Sequence, residues 1–274
     1  MAQCHDMCAS SDMYRVLQVD DEGGQDSSGK RISDLSCPLT QGKFSIFYMS
    51  TYQTDFVLIK DRRLRQAVQL LQQHQFEFDQ DSVDQYLGGS PPIQQDNRLS
   101  MASDTSVFLE EDFEKSVLSD ELQCVGLNPH YHSDWSITIL KILSYPELIA
   151  TENNSNDTRF FSYTATSDGI SLIANQTILS LFDQDAIFQD EETQTFRVIQ
   201  VNLAGSNLDR CGIVWSISHP LATEASINLL YLSTFKSANV LVASDDLSKA
   251  EEILAEDLEK AKGFLAEVVL EPTV

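Results

Sequence analysis

The chain has 274 residues, of which 42 are Asp or Glu and only 18 Lys or Arg, for a formal charge of -24. A field of that sign repels phosphate backbones and anionic lipid, so nucleic acid and membrane surfaces are excluded as partners. No apolar run is long enough to span a bilayer, and the first residues lack a basic start followed by an apolar core, which leaves the sequons at Asn153, Asn156 and Asn175 silent.

In chain order, Tyr14 to Val19 reads as a strand, with β-favouring side chains at alternate places. Asp20 to Gly29 is a polar, glycine-bearing break. Ile32, Leu35 and Leu39 then form a helical stripe. Phe44 to Ser50 is a strand, Tyr52-Gln53-Thr54-Asp55 its turn, and Phe56 to Lys60 the return strand. Leu64, Ala67, Val68 and Leu71 make one helical face, which Asp61 is placed to cap, and Phe76 with Phe78 predicts a closing strand.

Gln80 to His132 is rich in Asp, Ser, Gln and Gly and predicts a mobile linker, with Gly88-Gly89-Ser90-Pro91-Pro92 inside it. Beyond it, Trp135 to Leu143, Arg159 to Thr166 and Ile170 to Ala174 read as strands, and Thr177 to Phe182 as a short helix. This is an irregular unit of the same class, its first helix shortened or lost.

The first pattern is then written a second time. Tyr14-Arg15-Val16-Leu17-Gln18-Val19 reappears as Phe196-Arg197-Val198-Ile199-Gln200-Val201, and Tyr48-Met49-Ser50-Thr51-Tyr52 as Tyr231-Leu232-Ser233-Thr234-Phe235. Ile213, Ile217 and Leu221 line a helix that Pro220 helps to end, and Ile227 to Ser233 with Asn239 to Ala243 forms the hairpin. Ser244, aligned with Asp61, caps a helix carrying Leu247, Ala250, Leu254, Leu258 and Ala261, and Val268 to Leu270 closes the unit. Strand-helix-strand-strand-helix-strand, twice, predicts an α+β protein of tandem ferredoxin-like units, with helices on one face of antiparallel sheets. The expected boundaries are 14–79, a linker over 80–132, the irregular unit over 133–190, and 191–272.

At Met49-Ser50-Thr51-Tyr52-Gln53-Thr54-Asp55-Phe56 and Cys211-Gly212-Ile213-Val214 the chain resembles the CASTOR or GATS-like family, the cytosolic arginine sensors of the TOR pathway built of ACT domains. That resemblance covers Tyr14 to about Asp79 and Trp135 to about Glu256 and implies four ACT domains in a row, with an amino acid held between the second and fourth. The two repeats align with the second and fourth, the irregular unit with the third, and the first is expected to be absent. Carried over residue by residue, the pocket comprises Ser45 and Ile46 on one wall. Asn207, Arg210, Cys211, Gly212, Ile213 and Val214 make the other, and Thr234, Phe235 and Ala238 close it. The family's acidic partners of the arginine guanidinium fall at Arg210 and Ala238, a charge reversal and a lost carboxylate. The ligand is therefore expected not to be arginine, because a guanidinium beside Arg210 would be repelled and desolvated. Alternatively, Arg210 pairs with Asp209 or Glu224 at the surface.

The resemblance also makes Tyr52, Gln53 and Asp55 the docking turn for the GATOR complex, an aromatic anchor flanked by an amide and a carboxylate; a plain hairpin turn is the competing reading. No metal site or cofactor is expected. Cys4, His5, Cys8, His130 and His132 offer ligand types without a matched second pair. Nor does a nucleophile, acid and base set converge, since no His stands near Cys211 in sequence and His219 reads as a helix terminus. The protein is thus expected to be a non-catalytic, cytosolic sensor or regulator of TOR complex one. The alternatives are the amino-acid-binding regulatory subunit of an aspartokinase-like enzyme and a ligand-less scaffold. A homodimer, or a heterodimer with a family member, is the assembly that analogy suggests.

Overall fold

A computed structural model describes residues 12–19, 28–51, 54–87, 115–145, 160–167, 169–188, 194–203 and 211–255. In the first repeat, β1 (Tyr14–Val19) leads to α1 (Ser28–Gln41), the hairpin β2 (Ile46–Ser50) and β3 (Asp55–Lys60), and α2 (Leu64–Gln73). A helix α3 (Gln80–Leu87) and the strands β4 (Lys115–Val117) and β5 (Leu122–Leu127) follow, and then α4 (His132–Ser144), β6 (Ser162–Ala165), β7 (Ile170–Asn175), α5 (Gln176–Leu179) and β8 (Ile187–Phe188). The second repeat is β9 (Phe196–Asn202), α6 (Ile213–Thr223), β10 (Leu229–Ser233), β11 (Ser237–Ala243) and a last helix, α7, over 247–255.

All strands join one antiparallel sheet in the order β1-β3-β2-β10-β11-β9-β5-β7-β6, with β4 added to β9 and β8 to β5. The two repeats meet side by side at β2 and β10, where Leu232 faces Met49, its own equivalent. The contact is reciprocal: the Tyr48 amide donates to Ser233 Oγ and the Tyr231 amide to Ser50 Oγ, each at 3.0 Å. An internal two-fold therefore relates the repeats. The rings of Tyr48 and Tyr231 pack edge-on across it, with centroids 6.2 Å apart. Ile32, Leu39, Val57 and Leu71 of the first repeat share a single core with Leu221, Val240, Ala250 and Leu254 of the second. Apolar packing continuous through the seam makes the pair one hydrophobic body.

Several sequence expectations are corrected. Trp135 to Leu143 is not a strand but the middle of α4, whose Trp135, Ile139 and Ile142 fall at helical spacing on a buried face. The third unit therefore keeps its first helix, and its first strand is β5, inside the stretch expected to be linker. Helix α3 and strand β4 occupy that stretch too. Phe76 and Phe78 pack partly buried against the core without pairing as a strand. Pro220 lies within α6 rather than ending it. Neither Asp61 nor Ser244 caps a helix through its side chain: each opens a 3-10 turn, Asp61 accepts from Arg15 at 2.6 Å, and the Ser244 hydroxyl accepts from Thr195. The closing strand expected at Val268 to Leu270 lies outside the described residues.

Candidate functional site

Two of the residues expected from sequence to line a pocket meet where one repeat's helix start reaches the other repeat's strand. Ser45, just before β2, forms an antiparallel bridge with Cys211, just before α6. The chain turns into α6 at Gly212, whose φ of 87° is left-handed and suits glycine. The Gly212 carbonyl then accepts from the Ser216 amide at 2.8 Å, the first bond of the helix. The N-terminal turn of this 11-residue helix, Ile213 and Val214, thus opens beside Ser45 and Ile46. Such a terminus presents backbone N–H groups and partial positive charge, which suits the carboxylate of an amino acid.

One residue beyond the Leu232–Met49 pair, Ser233 Oγ accepts from the Tyr48 amide, and the chain then turns at Thr234 to Ser237, which puts Phe235 at the tip of the β10–β11 hairpin. The Leu203 amide, at the end of β9, donates to the Lys236 carbonyl at 2.7 Å and ties the start of the β9–α6 loop to that tip. Phe235 is 66% exposed there. Ala238 lies deeper, in the core opposite Ser233. Ser45 and Cys211 are thus paired directly, with Ile46, Gly212, Ile213 and Val214 next to them in the chain, while Thr234 and Phe235 lie on the β10–β11 turn and Ala238 in the core. Asn207 and Arg210 lie outside the described residues.

The two-fold creates a second, equivalent position, and it is filled from within. There α1 starts where α6 starts in the first, and Gly29 lies so close that a β-carbon on it would stand 2.5 Å from the Ile227 carbonyl oxygen. Arg31 reaches from α1 to Asp55, the counterpart of Ala238, with Nε and the terminal nitrogen each 2.6 Å from Oδ2. Asp55 is 1% exposed. One position thus holds a tethered guanidinium on a carboxylate, and the other has Ile213 and Ala238 in their places. Sequence reasoning missed Arg31 and Gly29. The signal was available in the alignment of Gly29-Lys30-Arg31 with Cys211-Gly212-Ile213 at the two helix starts.

Asp55 also corrects the expected docking turn. Its carboxylate is buried and spent on Arg31, so a partner binding at that turn does not reach it, while Tyr52 and Gln53 lie outside the described residues. Among the weaker candidates, His219 is inside α6, stacked on Trp215 at 4.6 Å with Nδ1 3.0 Å from Ser33 Oγ, and His132 packs edge-on against Trp135. Cys4, His5 and Cys8 lie outside the described residues.

Fold and seam together define a paired α+β module of two duplicated units joined edge to edge. Residues 9–73 and 191–256, the two repeats, match the ACT domain family. Each repeat thus carries an ACT-domain match, and the chain as a whole is similar, at a divergent level, to the cytosolic arginine sensors. It is 25% identical over 233 residues to the Cytosolic arginine sensor for mTORC1 subunit 1 of Homo sapiens, spanning 81% of this chain and 69% of that protein. It is 26% identical over 239 residues to the protein of that name in Bos taurus, with the same coverage. Among solved structures, the aspartate kinase of Clostridium acetobutylicum aligns with a TM-score of 0.36 and 13% identity over 53% of this chain and 34% of that one, too loosely for anything to rest on it.

Proposed function

We propose that this chain is a non-catalytic, cytosolic regulatory protein that binds a free amino acid between its two repeats and acts on TOR complex one through the GATOR complex. The bridge between Ser45 and Cys211 carries the reading, because it sets the N-terminal turn of α6 against the other repeat's strand. A ligand held there has its carboxylate on helix N–H groups and its side chain among Ile46, Ile213 and Phe235. Similarity to proteins named as arginine sensors for mTORC1 supports the pathway.

The ligand in this reading is not arginine. Ala238 and Ile213 supply no carboxylate, whereas the equivalent Asp55 in the other repeat already holds the guanidinium of Arg31. An unpaired guanidinium in an apolar recess costs more than it gains. A neutral amino acid suits the lining best, and Arg210 on the loop extends the choice to an acidic one. Docking to the GATOR complex would use Tyr52 and Gln53 without Asp55. Calorimetric titration of the full chain with the twenty amino acids is the test. Saturable binding of a neutral or acidic amino acid, abolished by Gly212→Val, is expected, and saturable micromolar binding of arginine would overturn it.

A further inference from the structure

The two repeats open on equivalent strands, β1 and β9, and among the described residues only β9 has a strand on its outer edge. There Lys115, Ser116 and Val117 of β4 pair with Val201, Gln200 and Ile199. The Leu118 amide then donates to the Val198 carbonyl at 3.0 Å, and a terminal nitrogen of Arg197 donates to the Leu118 carbonyl at 2.9 Å. Val198 is 0% exposed in that setting. In the first repeat, Val16 is the counterpart of Val198 and Arg15 that of Arg197. Val16 is 58% exposed, and Arg15 pairs instead with Asp61 at 2.6 Å.

Beside β1 lies a groove of about 850 Å³. Its floor belongs to the first repeat's own core, with Leu17, Leu35, Leu39 and Leu71 lining it. Phe76 and Phe78 stand along the far wall, alternating with the exposed Glu77 and Asp79. The groove follows all six residues of β1, an edge about 20 Å long. Backbone direction agrees with its shape. The Met13 carbonyl accepts from the Asp61 amide on the β3 side, so alternation turns the Val16 amide and carbonyl towards the groove, as the Val198 carbonyl is turned towards Leu118. Apolar core that opens to solvent along a strand edge, where the equivalent edge is paired, has the form of a strand site.

We infer that β1 is a docking edge for an extended segment of another protein, apolar at the alternate positions that face the core and basic at those between. The segment adds a strand to β1 as β4 does to β9, bonding the Val16 backbone and offering a carbonyl to Arg15. Its apolar side chains enter between Leu17 and Val19 on one side and Phe76 and Phe78 on the other. Its basic side chains, on the outward face, meet Glu77 and Asp79, whereas the charge of Arg15 is already balanced by Asp61. Charge also decides against an occupant from this chain. Every undescribed stretch of eight or more residues carries more Asp and Glu than Lys and Arg, and a second copy brings the same charge of -24.

Fluorescence anisotropy of the full chain with a labelled octapeptide of alternating valine and lysine is the experiment, and an octapeptide of alternating valine and glutamate is the control. Saturable binding of the lysine peptide at roughly 1 to 100 μM is expected, weakening as salt rises, with the glutamate peptide about tenfold weaker or worse. Val16→Pro removes the amide hydrogen on the groove side and keeps the ladder to β3, so it abolishes binding while the melting temperature holds. Should that variant melt earlier, Glu77→Lys carries the test: an exposed change, it weakens the lysine peptide about tenfold and strengthens the glutamate peptide. Hydrogen exchange at Val16 slows only when the lysine peptide is added. No saturable binding, equal binding of the two peptides, or an affinity unmoved by Glu77→Lys or by a folded Val16→Pro overturns the inference. So does a Val16 amide already protected in the chain alone, which would mean that its own residues fill the groove.

Discussion

Asp55 shows how one side chain changes meaning between sequence and structure. As the last residue of a polar turn it reads as an exposed contact, yet it lies 1% exposed on Arg31. Removing one member of a buried pair leaves a desolvated charge, so Asp55→Ala is expected to cost about 3–5 kcal/mol in urea denaturation. The double change Arg31→Met with Asp55→Leu, which removes both charges, is expected to recover most of that loss. Nearby, burial first and then the Asp55 charge push the Tyr48 hydroxyl well above its ordinary ionisation range, and burial does the same to Tyr231. The folded state therefore keeps these protons where the unfolded chain gives them up. The stabilisation is full below about pH 10 and drains away as pH rises past it. Thermal melts between about pH 8 and 11 are expected to fall steeply for the wild type and less so for Tyr48→Phe. At neutral pH that variant loses a buried hydroxyl that makes no hydrogen bond, and it is expected to be as stable as wild type or more so.

At the scale of elements, the seam between β2 and β10 is closed by two serine hydroxyls and a glycine contact. Ser50→Ala and Ser233→Ala each strip one amide of its acceptor and are expected to cost about 1–3 kcal/mol, Ser50 towards the upper end since it is buried. Gly29→Ala drives a methyl into the Ile227 carbonyl and is expected to lower the melting temperature through loss of the α1–α6 fit. Most elements of the two repeats were legible in the sequence, because the copies check each other: Ile32, Leu35 and Leu39 are all buried on α1, and Val214, Ile217 and Leu221 on α6. The closing strand at Phe76 and Phe78 was not, because alternation reports burial on one side and carries no information about an unpaired edge. Helix α4 was misread for a physical reason. Trp135, Ile137 and Ile139 alternate as in a strand because both faces of that helix are apolar. Half of the candidate site was legible through Ser45 and Cys211, while the internal Arg31–Asp55 pair depends on contacts between elements that no local pattern encodes.

At the scale of the molecule, the paired repeats and the third unit are separate packing bodies, and one measurement tells whether a ligand acts on one or both. The repeats share one core, so they open together, whereas the third unit has its own core of Val125, Trp135, Ile139, Leu172 and Ile178. The two bodies join by the Leu122–Phe196 pairing of β5 with β9 and by an apolar cluster on the opposite sheet face, around Leu118, Val198 and Leu241. A ligand at the rim of Ser45 and Cys211 stabilises only conformations in which the repeats are docked, by about 2.7 kcal/mol at a hundred times its dissociation constant. Hydrogen exchange read by mass spectrometry is therefore expected to slow in α1, β2, α6 and β10 when the ligand is added, leaving α4 and β6 unchanged. Ligand-induced protection spread evenly over both bodies would mean that they open as one unit despite their separate cores.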